Sequence, residues 1–142
     1  MAVTKKFTAS LNFNSSNIFP NAVNLSENMT VTVDGDSATS GSLKVTNSDT
    51  VPICTTGTEG QGLDADSRAF ILVKNVGSNS DGDIEIQDES DRRIAHVKSG
   101  EWAFFPFMHH TADAVSSCNI SGASATAGYC EYVVIETTTT DY

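Results

Sequence analysis

Residues 69–73 read Ala-Phe-Ile-Leu-Val, an unbroken apolar run between Arg68 and Lys74. The run is too short for a helix buried all round, and it is rich in β-branched and aromatic side chains. It therefore reads as a β-strand covered on both faces in the middle of a sheet. Such a strand needs hydrogen-bonded neighbours on both edges and packed layers above and below. The rest of the chain has to provide them.

It provides short alternating segments divided by turn clusters, with very little helical periodicity. Met29, Val31 and Val33 alternate with Thr30 and Thr32, and Asp34-Gly35-Asp36 supplies turn chemistry after them. Leu43 and Val45 alternate with Lys44 and Thr46. Residues 51–67 hold Pro52, Gly57, Gly60 and Gly62 and read as a long connection. After the central run, residues 75–82 form a turn. Ile84 and Ile86 then point away from Asp83, Glu85 and Gln87, as in a half-buried strand. Ile94 and His96 share one face of the next segment, with Ala95 and Val97 on the other. Residues 102–107 are an aromatic strand in which Pro106 marks an edge or an end. Residues 116–128 read as a loose loop and residues 129–136 as the final strand. The sum is about eight strands, which predicts an all-β chain built as one antiparallel β-sandwich, jelly-roll-like or related.

The first residues differ from the rest. Phe7, Leu11, Phe13, Ile18 and Phe19 stand in an otherwise polar stretch ending at Pro20. Residues 1–22 are expected to form a strand or extended arm that packs on its own core or on a neighbouring subunit, and residues 23–142 the β-sandwich domain. Phe104 and Phe105 must face opposite ways in a strand, one toward a core and one toward a contact. The candidate interface residues are thus Phe7, Leu11, Phe13 and Phe19 on the arm, with Trp102, Phe104, Phe105 and Phe107 on the aromatic strand.

With 142 residues the chain is long enough for one well-buried domain. Its net charge of -10 disfavours direct binding to nucleic acid or to an anionic membrane, and suits docking on a basic surface. No apolar run approaches the length of a membrane span, and polar Thr8, Ser10 and Asn12 follow Lys5 and Lys6 where a secretion signal would be apolar. The cysteines Cys54, Cys118 and Cys130 are odd in number. They are expected to be reduced and partly buried, with a Cys118–Cys130 bridge as the alternative.

His109 and His110 are adjacent, so in a strand they point apart. With His96, Glu101 and Asp113 they match no zinc spacing and read as surface or interface residues. The turns Asp34-Gly-Asp36, Asp64-Ala-Asp66 and Asp81-Gly-Asp83 lack the calcium-loop spacing and read as turn formers. No nucleophile elbow or phosphate loop is present. The expectation is a non-catalytic chain without metal or cofactor. A carbohydrate platform around Trp102 is a minor alternative.

The segment Phe-Ile-Leu-Val-Lys-Asn-Val-Gly-Ser-Asn at 70–79, followed by Lys-Ser-Gly-Glu-Trp-Ala-Phe-Phe-Pro at 98–106, resembles small β-rich virion proteins of tailed bacteriophages, especially marine and cyanobacterial ones. In those, a strand ending in a K-N-x-G turn is followed by a G-E-W/F strand that runs into Phe and Pro. The resemblance covers about forty residues. It implies a structural protein on the virion, most simply a decoration or cement protein on the capsid exterior. Its partners would be the major capsid protein and copies of itself, as a trimer or another symmetric oligomer. A tail or neck component is the alternative.

Overall fold

The structure is a computed structural model that describes residues 5–15, 23–55, 68–108 and 117–137. Nine strands lie within them: β1 (Lys5–Ser15), β2 (Val23–Val45), β3 (Val51–Thr55), β4 (Arg68–Asn75), β5 (Ile84–Gln87), β6 (Arg93–Val97), β7 (Trp102–Met108), β8 (Ser117–Gly122) and β9 (Gly128–Thr137). The apolar run occupies β4, hydrogen-bonded to β9 on one edge and β7 on the other. Ala69, Ile71 and Val73 are buried on one of its faces and Phe70 on the other. The central position expected from its composition is the one it takes.

Two antiparallel sheets result, one in the order β1-β2-β9-β4-β7 and one in the order β3-β8-β5-β6. Their inner faces meet in a single core. The larger sheet contributes Val45, Ile71, Val73 and Val134, and the smaller one Ile53, Ile84, Ile86 and Ile120. The pairing is nested: β2 with β9, β3 with β8, β4 with β7, and β5 with β6. The chain is thus wound as one long ribbon doubled back at the β5–β6 turn. At that turn Asp88 accepts the backbone N–H groups of Ser90 and Arg92.

Two residues join the sheets in ways that fix their spacing. Asn75, fully buried at the end of β4, donates from Nδ2 to the Val97 carbonyl of the opposite sheet (3.0 Å) and accepts the Gly77 N–H (2.9 Å). Gly122 brings β8 against the backbone after β2, where a Cβ would lie 2.7 Å from Thr46 main-chain atoms. Only hydrogen fits there.

Three expectations are corrected. Residues 34–36 do not end a strand. They lie inside β2 at a register shift, where Val33 and Ala38 pair with Thr137 and Ile135 of β9. The segment called a long connection begins with strand β3, which pairs with β8, while residues 56–67 lie outside the described ones. The segment called a loose loop contains β8, every residue of which is buried. Its small side chains hide the alternation, but Cys118 and Ile120 enter the core while Asn119 turns away and donates to the Asp88 carbonyl.

A candidate docking cleft between the arm and the outer sheet face

β1 pairs residue for residue with the first half of β2, from Lys5 opposite Val33 to Ser15 opposite Val23. The arm is therefore a two-stranded ribbon. Side chains directly opposite one another share a face. One face carries Thr8, Ser10, Asn12 and Asn14 with Thr30, Asn28, Ser26 and Asn24, all polar. The other carries Phe7, Ala9, Leu11 and Phe13 with Val31, Met29, Glu27 and Leu25. Alternation in register on both strands, interrupted only by Glu27 opposite Leu11, makes the ribbon amphipathic.

The register shift in β2 allows the ribbon to leave the plane of the larger sheet and lie over its outer face. Phe7 meets Phe70 edge-on, with ring centroids 5.3 Å apart and planes at 69°, and Phe70 stacks on Phe104 at 5.6 Å and 12°. Such aromatic contacts contribute about 0.5–1.5 kcal/mol each beyond the area they bury. Beyond this anchor the two apolar faces do not close. They leave an open cleft of about 750 Å3, walled by Ala9, Leu11 and Met29 of the arm and by Leu72, Trp102 and Phe104 of the sheet. Val133 and Ile135 of β9 line it too, with Thr8, Ser10 and Asn28, and Glu27 is the one charged residue among its described lining residues. Trp102 remains 55% exposed, Leu11 and Phe13 42%, and Leu25 43%.

The candidate interface residues divide accordingly. Phe7, Leu11, Trp102 and Phe104 come together in the cleft, and Phe13 continues the same apolar face toward the end of the ribbon. Phe105 and Phe107 point the opposite way and pack, half-buried, on the core. Phe19 lies outside the described residues. Sequence reasoning missed Leu25, Phe70, Leu72, Val133 and Ile135. The signal existed, because β4 and β9 are apolar at both parities, yet only pairing reveals which parity lies outside.

The other polar clusters form local contacts. His96 Nε2 contacts Asp83 Oδ2 at 2.8 Å, and its Nδ1 lies 3.9 Å from Glu85 Oε1. The same buried carboxylate pairs with Arg93 and accepts from Gln87 Nε2 at 3.1 Å. Among the described residues no three His, Cys, Asp or Glu side chains are arranged to hold a metal ion. His109, His110, Asp113, Asp64 and Asp66 lie outside those residues. Asp81 accepts the Ser78 N–H (2.7 Å) and hydroxyl (2.9 Å), which is turn formation. The cysteines are buried and unbridged, and Cys118 lies opposite Cys54 in the β3–β8 register, not beside Cys130. Burial pushes the Cys118 thiol up to about 12 and Cys130 up to about 11; for Cys130 the Leu43 backbone hydrogen bond opposes the rise. The Cys54 thiol is raised by burial first, then by Cys118 and Glu136.

Compared with known proteins, the chain matches no family model and no curated sequence.

Proposed function

We propose that this chain is a non-catalytic structural protein of a virion, a jelly roll that docks on the assembled capsid exterior and stabilises it. The order β2-β9-β4-β7 facing β3-β8-β5-β6 supports reading the fold as an eight-stranded jelly roll with β1 added at one edge. Capsid domains, lectins and cupins use that architecture, so it leaves the function to the site. The observation that carries the reading is the apolar cleft running into the exposed half of the arm. Soluble monomers rarely keep a continuous apolar surface of that kind in water. The resemblance noted in the sequence falls on the same region, since its second half enters β7 at Trp102.

A protein that binds the assembled shell and not its free subunits stabilises the shell by mass action. A tail or neck component would use the same cleft and arm in a ring. Exposed Trp102 favours, as a second reading, a carbohydrate-binding module. Against it, most of the lining around Trp102 is apolar, with Thr8, Ser10, Glu27 and Asn28 as its polar members.

The test is a density map of intact particles from the lysate that produces this chain. Hundreds of copies on the shell are expected. One ring of copies at a vertex would move the assignment to neck or tail, and absence from particles, with glycan binding that Trp102→Ala abolishes, would replace it by the carbohydrate module.

A further inference from the structure

The cleft is only part of the uncovered apolar surface. Beyond it Phe13 and Leu25 continue, exposed, on the same face of the ribbon as Leu11, which lines the cleft. A small apolar ligand could fill the cleft but could not cover the ribbon beyond it. A second copy of the chain could cover both, because it brings an arm for the cleft and a cleft for the arm. Two-fold contacts have this property: one patch, made of two complementary parts, is used twice.

We infer that two copies associate head to head by exchanging arms, the distal apolar underside of each β1–β2 ribbon seating in the cleft of the other beside Trp102. The surface available is sufficient. The exposed parts of these side chains and the half-buried cleft lining leave roughly 500–600 Å2 per copy, so pairing withdraws about 1,000–1,200 Å2 from water, the threshold for a specific interface. Area does not set affinity by itself, but an interface at the low end of the size range suits a weak, reversible pairing, on the order of micromolar.

Charge is compatible with it. The chain carries -10 overall, yet among the described residues Glu27 is the single charged group lining the cleft. Lys74 stands on the same outer face, in register between Trp102 and Glu131, and forms no ion pair among the described residues. It is the cation available to an incoming Glu27. This pairing does not depend on a virion role and stands or falls separately.

Trp102 is the only tryptophan of the chain, so its fluorescence reports on the cleft alone. The purified full chain would be diluted from about 100 to 0.1 µM, a range that brackets the expected constant. Mass by light scattering and Trp102 emission would be read together. A fall from dimer to monomer is expected, with a red shift of Trp102 emission at the same midpoint. Phe13→Asp, distant from the core, is expected to raise the dissociation constant at least about 30-fold, as loss of a central apolar anchor does. Leu25→Ser on the other strand of the ribbon should act in the same direction, with unchanged far-ultraviolet dichroism showing that both variants fold. A monomer at every concentration would overturn the inference. So would a dimer whose dissociation leaves Trp102 emission unmoved, or one indifferent to both substitutions. A monomer whose Trp102 emission responds to 1-anilinonaphthalene-8-sulfonate would overturn it in favour of a small apolar ligand.

Discussion

Asn75 shows how much a single buried polar side chain can decide here. It closes β4, donates across to Val97 of the other sheet, and holds the Gly77 N–H, while its backbone bonds Glu101 and Gly100. Truncation leaves the buried Val97 carbonyl and the half-buried Gly77 N–H without those partners. Asn75→Ala is therefore expected to lower the unfolding free energy by about 2–4 kcal/mol, measured in urea with an unchanged m-value. At Asp49 the effect is tied to pH. Its carboxylate accepts the Thr46 backbone N–H first (2.7 Å) and the Thr46 hydroxyl second (3.0 Å), which hold its pKa below the usual aspartate value. The folded pKa is the lower one, so the contribution is complete above the unfolded value of about 3.9 and is lost as pH falls through the folded value. The difference in melting temperature between wild type and Asp49→Ala should be widest near neutrality and should narrow in strong acid. The three buried thiols extend the argument. At pH 8 they should react with iodoacetamide only after denaturant is added, because burial disfavours the thiolate in each. Fast labelling of the native chain would contradict their position in the core.

At the scale of elements, the arm and β4 are opposite cases. Composition alone identifies β4, since a five-residue run of large apolar groups fits nowhere but between two layers. The arm was legible as an apolar segment at Phe7, Leu11 and Phe13, but not as half of a ribbon. Its partner strand, residues 23–33, is rich in Ser, Thr and Asn, and only its register with β1 turns Leu25, Met29 and Val31 to the same side. The ribbon is held to the body chiefly through Phe7 on Phe70. Phe7→Ala should cost about 1–3 kcal/mol, below a fully buried aromatic because Phe7 is half-exposed. It should also speed amide exchange in residues 10–14 and 24–28 more than in β4 or β9. Equal acceleration everywhere would mean that the arm and the two sheets open as one unit. β8 was missed for a related reason: its Ser, Asn and Gly carry weak strand preference, and its place between β3 and β5, with Cys118 and Ile120 in the core, is decided by partners distant in sequence.

For the whole molecule, the nested pairing sets both the folding problem and the site. β2 cannot pair with β9 until the chain between Val45 and Gly128 has been gathered in, and every other strand pair but β5–β6 and the β1–β2 ribbon also spans a distance in sequence. Folding is accordingly expected on the millisecond-to-second scale, slow for a chain of this length. Stopped-flow refolding followed by Trp102 fluorescence would measure it, and microsecond folding would contradict the topology. The sequence by itself determined the class of fold, the central strand, the apolar residues of the arm and the apolar character of residues 102–107. Each follows from local pattern, because side-chain period and bulk are properties of a short window. Only the tertiary structure decided which of two apolar faces looks outward, which strand lies over the other, and that Trp102 and Leu11 face one cleft. Those depend on register between segments far apart in the chain, and a shift of one residue would reverse them all.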